Sequence, residues 1–535
     1  MIPLPDLLFP VPHAANDTRL LEELLEMSFL GGDAASEIDD ALTAVAIPAS
    51  SWSADCFAAS LFLSELVETV FPIEIDGRRY PCHRRYLERI LAQPPTDRAT
   101  VDLRQRILLE LTESPEVRAR TEQLFVGLFV LLSAFKAPGC GLRDNAPEFR
   151  LEVLRQVRIV VERMTAGFAD CRSALRRLHD VGLEIRGSRE MQLLSALLDH
   201  DDHLSDLTVR VRLGADGRIR HLVVEEISEN GHNAFYRSPA RRWLDFTRLL
   251  WRGFDLDRRE VVNRLIFAVY EEIAPALRTI LQVLGQLEVY LGALGFADRA
   301  RALGLAVSLA GWRANGDGIA LKGLFNPLLL RQVERPTPCD IEPSGCQPIV
   351  LVTGANSGGK TRMLQALGIA QLLGQSGLFV PARNARLLFA EGLFASLVEH
   401  VSADQAEGRL GAELVRIRRL FEEIRSGSLV LIDELCSGTN PSEATRIIAY
   451  VLDLLRHSRA TAFVSTHFIE FVQELQEQPP WPDLRFLQTA PGYQFHRGVA
   501  TSSLAEETAR RLGVTYEALC AVLQERLGTP TGEFQ

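Results

Sequence analysis

Lysine is scarce in this sequence of 535 residues, and its scarcity limits what the basic residues mean. Only Lys136, Lys322 and Lys360 are present, so most of the 58 basic residues are arginines and an arginine-rich segment partly reflects composition. With 69 acidic residues the formal net charge is −11, which argues against a protein whose whole surface binds phosphate. A local basic patch on so large a chain remains compatible with that charge.

The sequence also lacks paired cysteines and a long apolar run. Its eight cysteines form no C-x-x-C pair, so neither a zinc site nor a disulfide framework is expected. The longest largely apolar stretch, Leu124 to Phe135, has twelve residues, whereas a helix needs about 20 to cross a bilayer. No basic segment precedes an apolar one at the amino terminus, which argues against an ordinary secretory signal. We therefore expect a cytoplasmic protein with no membrane partner.

Apolar spacing predicts a largely helical first part of the chain. From Arg78 to about His200, apolar residues recur every three or four positions, which is the period of a helix face. Between residues 207 and 224 the period is two, on both sides of the turn sequence Ala215-Asp216-Gly217. This change predicts one β-hairpin among the helices.

Helical spacing resumes after the hairpin. It begins at Arg241 and continues to about Ala314, with breaks expected mainly around Gly253 and Pro275. A long helix or a pair of helices is predicted for this segment.

The pattern then changes to short apolar strands separated by helices. In chain order, these elements are a strand from Pro348 to Thr353, a helix from Lys360, a strand from Ser428 to Ile432, a helix from Ser442 and a strand from Ala462 to Ser465. Such alternation builds a parallel sheet with helices on both faces, so the predicted fold class of this part is α/β.

A glycine-rich loop, residues 354–361, follows the first of these strands. Its members are Gly354, Ala355, Asn356, Ser357, Gly358, Gly359, Lys360 and Thr361, which together fit G-x-x-x-x-G-K-[ST] between a strand and a helix. In such loops backbone N–H groups face phosphates, the lysine supplies charge to the β and γ oxygens, and the last hydroxyl binds Mg²⁺. We therefore predict ATP and Mg²⁺ as ligands. The alternative is a glycine-rich turn with no ligand.

Two further strands end in polar residues that suit phosphoryl transfer. Asp433 is predicted to hold Mg²⁺, and Glu434 to orient or deprotonate the attacking water. The alternative is a pair of solvated carboxylates at the end of a strand. His467 follows the strand from Ala462 to Ser465 and is predicted to sense the γ-phosphate, although a lone histidine is more often structural.

Four separated segments resemble, in the same order, the ATPase of the MutS DNA mismatch-repair family. They are Gly323 to Leu328, the glycine-rich loop with its downstream Val380-Pro381-Ala382, Asp433 to Pro441, and Ser503 to Gly513. Weaker likeness extends upstream, so the resemblance covers about residues 76 to 520. It implies a P-loop ATPase domain with an ABC-like parallel sheet, preceded by a mostly α-helical core and lever domain.

The resemblance also implies an organisation along the chain. The implied segments are 1–75 with no clear role, 76–315 as helical core and lever with the hairpin, 316–500 as the ATPase domain, and 501–535 as a helical segment for dimerisation.

A homodimer through the ATPase domains is implied, with a loop of each subunit facing the partner's nucleotide. The residues implied to act across that interface are Gly408, Ser437, Gly438, Thr439 and Asn440. In the family the hairpin position can carry a DNA clamp, and the corresponding DNA-contact candidates are Arg210, Arg212, Arg218, Arg220, Arg237, Arg241 and Arg242. A structural excursion with a solvated arginine-rich face is the alternative.

Three departures from the family pattern qualify these expectations. Mismatch-reading members carry a Phe-x-Glu wedge in an N-terminal domain, and no such triplet precedes the helical core here. The family's S-x-F-x-x-E segment has Gly408 in place of serine and Leu410 in place of phenylalanine, so hydrolysis is expected to be slow or differently gated. About 20 residues follow Gly513, so the nuclease-like Smr domain of another branch is expected to be absent.

The resemblance thus implies an ATPase that converts ATP to ADP and phosphate, binds distorted or branched DNA, and uses ATP to change the conformation of a clamp in repair or recombination. Two other functions are compatible with the sequence. One is an ATP-gated protein or ribonucleoprotein scaffold without DNA binding, which the acidic net charge and the missing wedge favour. The other is mismatch repair proper, with a highly diverged reader in residues 1 to 75.

Overall fold

The computed structural model describes residues 5–12, 18–32, 34–137, 146–201, 205–213, 219–229, 258–312, 318–343, 345, 348–355, 358–397, 408–436, 440–501, 510 and 512–527. Its α-helices are α1 Thr18–Phe29, α2 Ala35–Thr43, α3 Leu63–Val70, α4 Arg84–Ala92, α5 Arg98–Glu113, α6 Pro115–Lys136, α7 Ala146–Gly167, α8 Arg176–Gly187, α9 Arg189–Asp201, α10 Arg258–Ala302, α11 Lys360–Gln375, α12 Gly408–Glu423, α13 Pro441–His457, α14 Ile469–Glu477 and α15 Tyr516–Leu527.

The strands are β1 Ile73–Ile75, β2 Arg78–Tyr80, β3 Ser205–Leu213, β4 Ile219–Glu229, β5 Ser308–Leu309, β6 Gly311–Trp312, β7 Ala320–Leu324, β8 Cys339–Ile341, β9 Ile349–Thr353, β10 Phe379–Val380, β11 Asn384–Leu387, β12 Leu393–Ser396, β13 Leu429–Ile432, β14 Thr461–Ser465, β15 Leu484–Ala490 and β16 Gln494–Arg497.

The chain divides into two compact units, each made of separate stretches of sequence. Unit 1 comprises residues 1–47, 73–86 and 102–294, and unit 2 comprises residues 48–72, 87–101 and 295–535. The first 75 residues therefore contribute to both units. The boundaries at 76, 316 and 501 remain a prediction about functional domains.

Unit 1 is mainly helical, as predicted. Helix α6 begins after Ser114, whose hydroxyl accepts the Val117 N–H at 3.4 Å, and Pro115 fills the first helical position, where no N–H is needed. The apolar stretch from Leu124 to Phe135 lies within this helix, and most of its residues are buried. It is therefore a core helix.

A short hairpin opens the segment that was predicted to be helical from Arg78. Asp76 and Gly77 have φ values of 50° and 73°, which form a tight left-handed turn between β1 and β2. The helical prediction is therefore wrong for residues 78–80, and the first helix of the segment begins at Arg84. The Asp-Gly pair was the local signal for this turn.

Helix α10 runs unbroken through Pro275, where a break was predicted. A proline inside a helix removes one hydrogen bond and costs about 3 kcal/mol. The neighbouring Ile273 and Leu277 are at most 1% exposed, and burial of such side chains along the helix offsets that cost. The other expected break, at Gly253, lies outside the described residues.

The helix ends before the predicted limit at Ala314. Gly304 has a φ of 66°, and the Leu305 N–H donates to the carbonyl of Ala300 at 2.9 Å, which closes the last turn. The short strands β5 and β6 follow, so the helical prediction for residues 303–312 is wrong.

Part of α10 is long and apolar enough, by length and composition, to cross a membrane. This part is Leu265–Ala302, and 89% of its most apolar window is buried inside the protein. The core helix of a folded domain has the same properties, so the segment is weak evidence for a membrane span. No other helix in the described ranges meets the same criteria. The absence of a membrane partner and the cytoplasmic location remain predictions.

A partly buried ionic cluster connects separate elements of unit 1. His83 Nδ1 lies 2.7 Å from Glu288 Oε1, and its Nε2 lies 3.3 Å from Asp39 Oδ1, which also binds the Lys136 ammonium through its second oxygen. The carboxylate of Glu288 also accepts the His83 N–H at 2.8 Å. Burial lowers the pKa of His83, but the hydrogen bonds with Asp39 and Glu288 outweigh it and raise the pKa to about 9.

The raised pKa predicts a pH-dependent contribution of His83 to stability. Because the folded pKa of about 9 exceeds the unfolded value of about 6.5, the contribution is full below about pH 6.5 and is lost as the pH rises to about 9. The difference is on the order of 3 kcal/mol at most. In urea unfolding, the free-energy difference between the wild type and His83→Gln should shrink from about pH 6 to about pH 10.

A matched control is His457→Gln, because the His457 side chain is 66% exposed. Its unfolding free energy should differ little from that of the wild type across the same pH range. A loss for His83→Gln that stays constant with pH would contradict the assignment of a protonated His83.

Unit 2 contains a six-stranded sheet in the order β12-β13-β14-β9-β15-β16. The strands from β12 to β15 run parallel, and β16 pairs antiparallel with β15 at one edge. The three strands predicted before residues 354, 433 and 466 are confirmed as β9, β13 and β14. The edge pair β15 and β16 was not predicted. The α/β fold class is confirmed, with a sheet that is mixed at its edge.

Helices cover both faces of this sheet, as the continuous apolar strands predicted. On one face Leu431 of β13 lies beneath Gly368 of α11, where an added Cβ would approach its Cδ1 to 2.9 Å. On the other face Val430 and Ile432 pack in a cluster with Ile448 of α13. The same cluster includes residues of α12 and α14.

Residues 48–72 form part of unit 2. The Trp52 indole N–H donates to the Ala390 carbonyl at 3.0 Å, and the Ser60 hydroxyl donates to the Ala395 carbonyl at 2.7 Å. Because β12 is the outermost strand on this side, these contacts cover one edge of the sheet. Part of the N-terminal region with no predicted role thus completes the α/β unit.

Candidate functional site

The predicted site residues converge at the carboxyl edge of three neighbouring strands. In the sheet β14 lies between β9 and β13, with Val464 opposite both Leu351 and Ile432. The glycine-rich loop follows β9, the two acids follow β13, and His467 follows β14. Ligands of parallel sheets bind at this edge.

The glycines of the loop are required by the backbone and by close neighbours. Gly354 and Gly359 have φ values of 132° and 84°, and a Cβ on Gly354 would lie 1.9 Å from Thr489 Oγ1. A Cβ on Gly358 would lie 2.9 Å from the carbonyl oxygen of Ala355. The loop thus forms a narrow cradle that side chains would fill. Asn356 and Ser357 lie outside the described residues.

We expect Gly354→Ala to disrupt this cradle. The added methyl overlaps Thr489 Oγ1, and the φ of 132° is unfavourable for alanine, so the loop must shift. The free energy of unfolding should fall by about 1–3 kcal/mol, and affinity for ATP by roughly tenfold or more. Denaturant unfolding and calorimetric ATP binding measure the two effects.

The control for this substitution is Gly187→Ala at the end of α8, where an added Cβ meets nothing within 4 Å. It should change neither quantity appreciably. Wild-type ATP affinity in Gly354→Ala would show that the cradle is not part of the nucleotide site.

Lys360, the first residue of α11, is turned onto the loop. Its side chain is 3% exposed, and its Nζ donates to the carbonyls of Gly354 at 2.7 Å and Ala355 at 3.1 Å. Burial lowers the pKa of this lysine, and the charges of Glu434 and Asp433 oppose that effect. The structure therefore brings the lysine and both acids of the prediction into one electrostatic neighbourhood.

Hydroxyl groups on two elements hold the Asp433 carboxylate. The Thr361 hydroxyl of α11 donates to Oδ2, and the Ser465 hydroxyl at the end of β14 donates to Oδ1. The same Ser465 oxygen accepts the Glu434 N–H at 3.1 Å. This network connects the glycine-rich loop to the acidic end of β13.

The backbone after β13 has an uncommon conformation. Glu434 and Cys436 have φ values of 51° and 58°, in the left-handed region that non-glycine residues rarely adopt. Each such residue costs about 1–3 kcal/mol, and residues of this kind concentrate at functional sites. The cost is offset locally by the Ser465 hydrogen bond and by the burial of Leu435 and Cys436 in the core.

The oxygen donors suit a hard cation. Carboxylate and hydroxyl oxygens are preferred by Mg²⁺, which keeps waters and substrate oxygens as its other ligands and needs few protein groups. Thr361 and Asp433 are already joined by a hydrogen bond, so both oxygens are close enough to serve one ion. Among the described residues no cluster of three or more His, Cys, Asp or Glu side chains could hold a metal.

The structure describes the other predicted site residues less completely. The His467 ring is half-buried against Phe468, with centroids 4.1 Å apart. Gly408 begins α12, and the Asn440 side chain caps α13 by accepting the Ser442 N–H at 3.1 Å. Ser437, Gly438 and Thr439 lie outside the described residues. The roles of all these residues remain predictions.

Sequence reasoning missed three residues that contact the site. They are Ser465, which holds Asp433, Thr489 of β15, and Tyr493, whose Cδ1 would lie 3.2 Å from a Cβ on Gly359. Tyr493 lies in the turn between β15 and β16 with a φ of 58° and is 57% exposed. The sequence signal for Ser465 was weak, because many apolar strands end in a residue that carries a hydroxyl group.

Three of the seven DNA-contact candidates lie on the confirmed hairpin. In the β3–β4 pair, Arg210 is opposite Val223 and Arg212 is opposite His221, and Arg220 lies in β4. Arg218, Arg237, Arg241 and Arg242 lie outside the described residues. The hairpin itself is confirmed, and its contact with DNA remains a prediction.

In unit 2 a strand, a glycine-rich loop and a helix lie beside a second strand that ends in two acidic residues. This combination defines a recognised type of α/β domain. Residues 350–489 match the family model for MutS domain V. The chain is 32% identical over 363 residues to a Thermus thermophilus protein named Endonuclease MutS2, covering 64% of this chain and 46% of that protein. A Streptococcus uberis protein of the same name is 29% identical over 342 residues, covering 60% and 42%. Residues 350–489 of this chain are therefore similar to MutS domain V.

The matched region spans less than half the length of these curated relatives. Their name describes those proteins, and the activity of the present chain is a separate question.

Proposed function

We propose that this chain is an ATPase that binds ATP and Mg²⁺ at the carboxyl edge of the unit 2 sheet. The observation that carries the proposal is the network in which Asp433 accepts hydrogen bonds from Thr361 and Ser465 beside the buried Lys360. A lysine, a carboxylate, two hydroxyls and a glycine-rich loop at a helix N-terminus suit a polyphosphate and its cation.

The residues divide the work of phosphoryl transfer between them. Lys360 and the helix α11 N-terminus would neutralise phosphate oxygens, and Thr361 and Asp433 would hold Mg²⁺, which neutralises further charge when bound. Glu434, positioned by the Ser465 hydrogen bond, would orient the attacking water and accept its proton. His467 would sense the γ-phosphate from the strand between the other two.

We further propose that the ATPase acts on distorted or branched DNA and that ATP binding and hydrolysis change the conformation of a clamp. The MutS relationship and the curated relatives named endonucleases support a nucleic-acid substrate. The β3–β4 hairpin carries Arg210, Arg212 and Arg220 for phosphate contact. A homodimer would place Gly408 and the turn from Ser437 to Asn440 against the partner's nucleotide.

The deciding experiment is the ATPase rate of the purified protein with and without DNA. Duplex, mismatched, single-stranded and four-way-junction DNA would be compared at about 50 and 200 mM salt, because phosphate contacts lose affinity steeply over this range. Mg²⁺-dependent hydrolysis stimulated by one DNA structure is expected, with salt-sensitive binding. The absence of hydrolysis under all conditions would disprove the ATPase proposal.

An ATP-gated interaction scaffold is the second candidate, because the net charge is −11 and only three lysines are present. It predicts ATP hydrolysis at a rate that no DNA changes and no salt-sensitive DNA binding. The same experiment therefore separates the two functions.

A further inference from the structure

Residues 6–10 of unit 1 form an irregular segment whose main chain is bound by side chains of helices. Every carbonyl oxygen from residue 6 to residue 10 accepts such a hydrogen bond. The donors are Arg177 Nη1 for Asp6 and for Phe9 (2.8 Å), Tyr290 Oη for Leu7, Arg104 Nε for Leu8 (3.1 Å) and Arg177 Nη2 for Pro10 (2.8 Å).

The N–H groups of the same segment are also bound by side chains. Leu7 N–H donates to Gln286 Oε1 at 2.8 Å. The Asp6 carboxylate accepts the N–H groups of Leu8 at 2.9 Å and Phe9 at 3.0 Å. Pro10 has no N–H, so the main chain of residues 7–10 is satisfied without a strand or a helix.

The segment is buried together with polar side chains of the surrounding helices. Arg104 is 0% exposed, and its guanidinium lies 5.1 Å from the centroid of the Phe9 ring. Leu7 and Leu8 are at most 1% exposed, whereas Val11 is 68% exposed. Burying a guanidinium is costly, and the Leu8 carbonyl reduces that cost by accepting the Arg104 Nε–H at 3.1 Å.

Most hydrogen bonds inside proteins join backbone groups within helices and sheets. A segment whose backbone is instead recognised by side chains of separate helices, α5, α8 and α10, has the contacts of a bound peptide. We propose that unit 1 contains a peptide-binding groove formed by Arg104, Arg177, Gln286 and Tyr290, and that residues 6–10 are its intramolecular ligand. The ligand class is a short apolar peptide with a leading acid, as in Asp-Leu-Leu-Phe-Pro.

The roles within the ligand follow from the contacts. The acid at the first position fixes the shape of the ligand, because its carboxylate accepts the N–H groups of Leu8 and Phe9 within the same segment. The aromatic ring is selected by the groove, because it lies against a buried guanidinium. The tether raises the effective concentration of the segment to about the millimolar range. The same peptide, once free, binds the groove reversibly.

The test uses the full chain with a protease cleavage sequence inserted between Pro12 and Thr18. After cleavage, a fluorescent synthetic peptide of residues 5–12 should exchange into the folded protein with a Kd of about 1–100 μM. The uncleaved chain should take up far less, because its tethered segment competes. Peptides carrying Asp6→Ala or Phe9→Ala should bind roughly tenfold more weakly or worse.

Arg177→Ala in the cleaved chain should also lose affinity by roughly tenfold or more. Its matched control is Arg176→Ala, because the neighbouring Arg176 donates to Ala169 at 3.3 Å and makes none of these contacts. Three outcomes would overturn the proposal: uptake no better than that of a scrambled peptide, equal uptake by Arg177→Ala, or unfolding on cleavage. Unfolding would mean that segment and groove form one folding unit.

A second measurement applies to the uncleaved chain. In hydrogen exchange, Arg177→Ala should lose protection at residues 7–9 while α5, α8 and α10 keep theirs, and Arg176→Ala should match the wild type. Loss of protection throughout the helices of unit 1 would also overturn the proposal.

Discussion

Replacing Glu434 with glutamine is expected to lower the rate of ATP hydrolysis by about 100- to 1000-fold while ATP affinity stays within about threefold. Glutamine has nearly the same size as glutamate but cannot accept a proton from water. The groups proposed to hold the phosphates and Mg²⁺, Lys360, Thr361 and Asp433, are unchanged. Single-turnover hydrolysis and equilibrium ATP binding measure the two quantities separately.

The control is Glu422→Gln on α12, because this glutamate is exposed and pairs only with a surface arginine in the contacts described, Arg418 at 2.8 Å. Its hydrolysis rate should equal that of the wild type. If Glu434→Gln turned over ATP at the wild-type rate, the assignment of Glu434 as the group that activates water would be wrong.

Lys360→Ala is expected to weaken ATP binding by about 100- to 1000-fold, equivalent to about 3–4 kcal/mol. The ammonium lies directly on the loop, and its loss would leave phosphate charge uncompensated. The substitution also removes the donor from the Gly354 and Ala355 carbonyls, so the loop loses contacts before any ligand binds. Isothermal calorimetry measures the affinity, and thermal unfolding shows whether the fold is retained.

The scarcity of lysine offers a clean comparison, because Lys322→Ala removes an exposed ammonium elsewhere in the same unit. This variant should bind ATP as the wild type does. If Lys360→Ala bound ATP as tightly as the wild type, the glycine-rich loop would not be the nucleotide site.

The strands that carry the site could be predicted because buried parallel strands appear in a sequence as continuous apolar runs. β9, β13 and β14 are of this kind, and each ends directly before a polar motif. β15 escaped prediction because buried and half-buried residues follow no regular period along it. Thr489 belongs to that strand, so its contact with Gly354 had no sequence signal.

The helical errors have a different cause. Pro275 is a strong local signal for a break, yet the helix continues because tertiary burial on both sides of the proline outweighs the local preference. The division of residues 1–75 between two units likewise depends on contacts such as that between Ser60 and Ala395, which are distant in sequence. Spacing and composition carry no information about such pairs.

The residues predicted to take part in the chemistry were easier to predict than the residues that hold them in position. Lys360, Asp433 and Glu434 follow from motif and strand position, and the structure places them in one electrostatic neighbourhood. The supporting role of Ser465 depends on a hydroxyl at the end of the neighbouring strand, which no motif marks. The residues predicted to act across a dimer interface can be tested only when a second subunit is present, so their roles remain predictions.

The hydrogen bonds around Asp433 have a thermodynamic consequence. Both of its oxygens accept hydroxyl hydrogens, so rotation of the carboxylate is already restricted in the folded chain. A free surface carboxylate would lose this rotamer entropy only when a cation binds, whereas here the loss occurs during folding. Preorganisation of this kind would make the affinity for the proposed cation depend on Ser465, because its hydroxyl fixes the orientation of the Asp433 carboxylate.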